Sequence, residues 1–152
     1  NCSNNYGPNQ HFEKLIPLII KQLYKGEKVP IYGDGLQKRD WLHVLDHCEA
    51  IQLLVHKGEL GQSYCIGSGC EHTNIQVVSA IATALSNRAE LDFDFTDLNS
   101  IISHVTDRLG HDRRYAINSN KLKALGWNPR YSFEDGIRDV ANWYVDNIKR
   151  LV

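Results

Sequence analysis

The sequence predicts an α/β fold. Three observations carry that prediction. Segments with apolar residues at helical spacing alternate with short extended segments; glycine turns and capping signals separate them; and no repeat, low-complexity tract or linker interrupts the series. At 152 residues, 42% of them hydrophobic, the chain can bury one ordinary core, so a single unit over 1–152 is expected.

The elements follow in order. Phe12, Leu15, Ile16, Ile19, Ile20 and Leu23 recur at helical spacing up to Gly26, with Pro17 marking a start or a kink. The stretch "VPIYGDG" (29–35) reads as a strand entering a Gly-Asp-Gly turn, and Lys38 to Val44 as a second extended run. Asp46 and Glu49 have the spacing of a capping box for a helix that ends at Gly58 and turns Cys48, Ile51, Leu54 and Val55 inward. "QSYCIGSG" (62–69) reads as a strand and a glycine turn. Thr73 and Gln76 then make a second capping box, for a helix bearing Ile75, Val78, Ile81, Ala82 and Leu85. "LDFDF" (91–95) alternates as a half-buried strand does, and "RRYAI" (113–117) reads as another strand. A short helix over 120–125 closes at Gly126, with Pro129 beyond. Ser132 opens the last helix, whose apolar face is Phe133, Ile137, Val140, Ala141, Tyr144, Ile148 and Leu151.

Composition narrows the function. A formal net charge of -1 argues against a general nucleic-acid or membrane-surface binder. No apolar run reaches the length of a membrane span, and no signal-peptide pattern is present, so a cytoplasmic protein is expected. Cys2, Cys48, Cys65 and Cys70 contain no CxxC pair and are expected as reduced thiols; Cys65, Cys70 and His72 match no common zinc spacing. The chain begins at Asn1 and contains no methionine, which reads as a piece of something longer.

Two motifs fail on physical grounds. "IGSGCEH" imitates a dinucleotide fingerprint, but His72 stands where the third glycine is needed, and no acidic residue ends a strand about 20 residues on. Tyr24 and Lys28 of "YKGEK" have the spacing of a dehydrogenase pair, but Gly26 and the helix end separate them. No Ser/His/Asp order, nucleophile elbow or P-loop is found.

The polar clusters say more. "DRLGHDRRY" (107–115) sets three arginines, two aspartates, a histidine and a tyrosine around one glycine. Arginine's flat fork meets two phosphate oxygens at once. Arg39, Arg108 and His111 make a diphosphate site if the fold gathers them, and Tyr32 offers a ring for a base. Plainer readings stand beside this. Asn74 sits next to an N-cap, Arg113 and Arg114 suit an exposed strand pair, Asp107 suits a role of orienting Arg108, and Lys14 suits a solvated helix position.

In their order along the chain, "NCSNNYGPNQHFEKLIPLII", "VPIYGDGLQKRDWLHVLDHCEAI", "SYCIGSG", "TNIQVV" and "DRLGHDRRYAI" resemble the carboxy-terminal half of dTDP-glucose 4,6-dehydratases. These are extended short-chain dehydrogenase/reductases. The resemblance covers essentially the whole chain, and its segments up to "RDW" are shared with related nucleotide-sugar enzymes. It implies the substrate-binding part of that fold with the last elements of a Rossmann sheet, most of the NAD-binding domain being absent. In such a lyase of deoxysugar synthesis NAD oxidises the sugar at C4, water leaves across C5 and C6, and hydride returns to C6. It implies a dTDP-sugar substrate, NAD as cofactor, a homodimer, and no nucleic-acid or membrane partner.

Carried over by motif, Asn4 touches the sugar or its phosphate and Asn5 approaches the nicotinamide end of NAD. Lys14 and Leu15 lie along the diphosphate and nucleoside. Pro30, Ile31 and Tyr32 wall the thymine pocket. Arg39 and Arg108 hold the diphosphate, and Asn74 with Asp107, Arg108, Leu109, Gly110 and His111 completes the nucleotide site. No residue of this chain is a catalytic or metal-ligand candidate. Two departures stand out: Leu109 replaces the family's proline, and His11 alters the entry to the Lys14 helix. The rivals are another nucleotide-sugar dehydratase, epimerase or decarboxylase, and a binding module without chemistry.

Overall fold

The computed structural model describes residues 1–91 and 93–151. Its strands fall into two small sheets, and the longest of them, β3 (Lys38–His43), joins three partners. The end of β3 pairs in parallel with β1 (Asn4–Tyr6), in the register Asn4 to Trp41 and Tyr6 to His43. Its start pairs antiparallel with β4 (Glu71–Thr73) and in parallel with β6 (Arg114–Tyr115). The second sheet is β2 (Val29–Tyr32) against β5 (Ile102–Val105), also parallel.

Helix α1 spans Leu15–Tyr24, so Pro17 falls in its first turn, where the missing N–H removes no helical bond. The chain enters α1 through a turn in which the His11 carbonyl accepts from the Lys14 amide at 3.0 Å and the His11 ring accepts from the Glu13 amide. Helix α3 (Asn74–Leu85) carries the predicted capping box: Thr73 Oγ1 accepts from the Gln76 amide and Gln76 Oε1 from the Thr73 amide. Helix α6 (Phe133–Leu151) is the longest. It buries Phe133, Ile137, Val140, Ala141, Tyr144 and Val145 in one core with α1 and α3, and Ile148 is buried further along. Burying a side chain of this kind is worth about 1.5–3 kcal/mol before ordering costs, so this three-helix face is the main source of cohesion. The Tyr24–Lys28 spacing is a coincidence: Tyr24 ends α1 and Lys28 Nζ donates to the Asn99 carbonyl.

Several expectations are corrected. Asn4–Tyr6, for which no element was expected, is strand β1. Helix α2 (Val44–Lys57) starts before Asp46, with His43 as N-cap accepting from the Leu45 amide at 3.3 Å. Asp46 is buried and accepts instead from the amides of Arg130 and Tyr131, at 2.9 and 3.2 Å. Of the four α2 residues expected to face inward, Leu54 packs against the smaller core, whereas Cys48, Ile51 and Val55 are exposed, Val55 at 76%. Only one isolated bridge, Cys2 to Ile66, forms in the predicted strand 62–69. The described part of 91–95 is irregular, Asp92 lying outside the described residues; the strand of that region is β5, after the short helix α4 (Leu98–Ile101). Helix α5 is limited to Asn120–Lys123. A smaller core of Leu42, Ala50, Ile66, Leu122 and Trp127 holds α2 and α5 against β3.

Candidate nucleotide site

Strand β3 directs Arg39 and Trp41 to one side, two residues apart, as strand geometry requires. Both line a hollow of about 350 Å³ with Asn4 from β1, Lys14, Leu15 and Leu18 at the start of α1, and Pro30, Ile31 and Tyr32 from β2. Glu13, Asn74, Arg108 and His111 complete it. A second hollow of about 390 Å³ shares Asn4, Arg39, Arg108 and His111 and is closed by Leu109, Gly110, Asp112 and Tyr115. Residues up to 107 positions apart in sequence, Asn4 and His111, thus meet at one place.

The glycine turn after β2 makes this approach feasible. Gly33 and Gly35 both have positive φ, and a Cβ on Gly33 would sit 2.9 Å from Asp107 Oδ2. Asp107 is the organiser of its loop. It accepts from the Arg108 amide at 2.8 Å, from Gln37 Nε2 at 2.9 Å, and pairs with His111 Nδ1 at 2.7 Å. The His111 bond, ahead of the others, holds the Asp107 carboxyl below its usual range.

The arginines divide into two sorts. Arg113 Nη1 reaches both oxygens of Asp34, at 2.8 and 2.9 Å, and Arg114 spans Glu71 with two bonds of 2.6 Å. Arg114 keeps the Glu71 carboxyl below the usual carboxylate range; for Asp34 the Leu36 amide does so first and Arg113 second. These two are therefore neither free phosphate ligands nor simple solvated heads. Arg39 is anchored differently, donating to the carbonyls of Lys38 and Asp112 at 2.7 and 2.8 Å above the Tyr115 ring. Arg108 lies 4.8 Å over the Tyr32 ring and within 3.4 Å of His111 Nε2. Among the described residues neither Arg39 nor Arg108 has a carboxylate partner. Two positioned, uncompensated guanidinium groups beside one exposed aromatic ring can take a phosphate chain and a base.

Of the residues expected at the site, Asn4, Lys14, Leu15, Pro30, Ile31, Tyr32, Arg39, Asn74, Arg108, Leu109, Gly110 and His111 line the two hollows. Asp107 stands behind them. Asn5 does not join: its Nδ2 donates to the Ser3 carbonyl, and its Oδ1 lies 2.8 Å from His47 Nδ1. Sequence reasoning missed Glu13, Leu18, Trp41, Asp112 and Tyr115. For Asp112 and Tyr115 the available signal was their place in "DRLGHDRRY"; the pairing that sets Tyr115 opposite Arg39 appears only in the fold.

The other polar features hold nothing comparable. At α3, the amides of Asn74, Ile75 and Gln76 are taken by the Gln37 carbonyl, the Gly35 carbonyl and the Thr73 hydroxyl. A pyrophosphate has no donors left there, so the residues of "IGSGCEH" do not fit a dinucleotide. Cys70 and His72 approach to 3.1 Å, but no cluster of three metal-ligating side chains occurs among the described residues.

A family model described as GDP-mannose 4,6 dehydratase matches residues 1–140. The chain belongs to that family. Within it, the sequence is 52% identical over 148 residues to a dTDP-glucose 4,6-dehydratase of Xanthomonas campestris pv. campestris, covering 97% of this chain and 42% of the relative. The Escherichia coli K12 dTDP-glucose 4,6-dehydratase 1 is 47% identical, with 98% and 41% covered. The chain thus spans about two fifths of the length of these relatives. Two crystal structures superpose closely. One is the Bacillus anthracis dTDP-glucose 4,6-dehydratase in complex with NAD, with a TM-score of 0.84, 48% identity, and 97% of this chain and 44% of that one covered. The other is a Streptomyces venezuelae dTDP-glucose 4,6-dehydratase with NAD and TYD bound, with a TM-score of 0.87, 39% identity, and 98% and 44% covered. The expected α/β class and the resemblance to these dehydratases are both borne out.

Proposed function

We propose that residues 1–152 form the nucleotide-sugar-binding part of an NAD-dependent enzyme of the dTDP-glucose 4,6-dehydratase kind, which removes water from dTDP-glucose to give the 4-keto-6-deoxy sugar. The observation that carries this reading is the pair Arg39 and Arg108, positioned without carboxylate partners beside Tyr32 and the Pro30–Ile31 wall. In this reading the two guanidinium groups and Lys14 hold the diphosphate, and Tyr32 and Pro30 flank the thymine. Asn74 and His111 close the nucleotide end, and Asn4 meets the sugar phosphate. NAD enters as the relatives' cofactor. Among the described residues the α3 amides are already taken, and Asn5 is the residue offered to the nicotinamide end; in this reading the work of the chain is binding and orientation.

The wider reading is a cytoplasmic homodimer that contacts neither nucleic acid nor membrane. The net charge of -1 supports the absence of a nucleic-acid partner, and among the described residues no helix is long and apolar enough to cross a membrane. Calorimetric titration of dTDP, with UDP and GDP as comparators, tests the assignment. Tightest binding of dTDP is expected. Preference for GDP or UDP would transfer the chain to a related nucleotide-sugar enzyme, and absence of all binding would remove the site.

A further inference from the structure

We propose that Gln37, which lines neither hollow, is the positioning residue that fixes the distance between the two walls of the site. The inference rests on the nucleotide reading above for its purpose, but not for its geometry. Gln37 is 2% exposed. Its Nε2 donates to Asp107 Oδ2 at 2.9 Å and reaches the Tyr32 carbonyl at 3.4 Å, while its Oε1 faces Asn74 Nδ2 at 3.5 Å. Its backbone carbonyl accepts from the Asn74 amide. One side chain thus touches the strand that carries Tyr32, the loop that carries Arg108 and His111, and the start of α3.

Only a primary amide satisfies these neighbours. Asp107 Oδ2 takes its donor from Gln37, the Tyr32 carbonyl takes it as a second donor beside the Gly35 amide, and Asn74 Nδ2 faces the Gln37 acceptor. A glutamate would set a second carboxylate against Asp107, and leucine would leave the Asp107 oxygen without its buried donor. His111 and the Arg108 amide hold the Asp107 Oδ1, so the carboxylate is tied to its own loop. Loss of the Gln37 donor therefore moves the loop rather than the carboxylate alone.

The test compares the wild-type chain with Gln37→Leu and Gln37→Glu. Hydrogen exchange is followed in peptides covering the 105–113 loop and helices α1, α3 and α6, and dTDP affinity is titrated in parallel. In Q37L, loop exchange should rise and dTDP should bind about tenfold more weakly or worse, with α1 and α6 as protected as before. Loop exchange equal to wild type overturns the proposal. Faster loop exchange in a chain whose wild type ignores dTDP would retain the positioning role and discard the nucleotide reading. Should Q37L not fold, Q37E decides by its pH profile, read as the ratio of variant to wild type at each pH because Asp107, His111, Arg108 and the Asp34–Arg113 pair are common to both. Loop protection in Q37E should be poor at neutral pH and return as the new carboxyl is protonated. A flat ratio overturns the proposal.

Discussion

Charge is arranged at the site one residue at a time. Arg113 and Arg114 are each neutralised by a carboxylate, whereas Arg39 is held by two carbonyls and Arg108 by an aromatic face. A carbonyl fixes a guanidinium without cancelling its charge, so Arg39 is oriented and still attractive to an anion. Arg39→Ala or Arg108→Ala should therefore weaken dTDP binding by about 1.5–3 kcal/mol, while Arg113→Ala and Arg114→Ala should leave the affinity nearly unchanged. Calorimetry on the four variants checks the division. Residue types alone pointed to Arg39, Arg108, His111 and Tyr32, because arginine's fork suits phosphate; Asn4, Lys14, Leu15, Pro30, Ile31 and Asn74 came only with the family resemblance. Which arginines are compensated was not legible, since Asp34 and Glu71 lie 79 and 43 positions from their partners.

At the scale of elements, helices α1, α3 and α6 were readable because their apolar faces meet one another. Helix α2 was misread at its start because the nearby acid, Asp46, serves a remote segment and a histidine does the capping. Asp46→Ala should destabilise the chain by about 2 kcal/mol, since two partly buried amides lose a buried charged acceptor; denaturant unfolding measures this. The histidines make these elements sensitive to acid. Burial, as the leading cause, lowers the pKa of His43, His47 and His72. The unfolded chain then binds more protons than the folded one below about pH 6.5. Stability should be fully present above that pH and decline as pH falls towards the lower folded values. In thermal melts from pH 7.5 downward, His43→Asn, which keeps a capping side chain, should flatten part of the decline.

Across the whole molecule, one face lacks a cover. Leu45, Ile51, Val55 and Leu60 are exposed along and just beyond α2, Leu60 completely. The sequence pattern includes Ile51 and Val55 in an apolar stripe, but periodicity cannot say what an apolar face packs against. The isolated chain should associate with rising concentration. Ile51→Glu with Val55→Glu should suppress this without lowering the melting temperature, as light scattering and thermal melts would report.

Leu109 crowns the loop at full exposure, with Arg108 on one side and Arg113 and Arg114 beyond. A loop that gathers cations for phosphate is by the same token a loop of trypsin sites. Proteolysis should begin there, and its first cut would part the two walls of the hollow while α1, α3 and α6 stay packed. The rate of that single cut, with and without nucleotide, would report occupancy of the site in unlabelled protein, with the arginines acting as their own footprint.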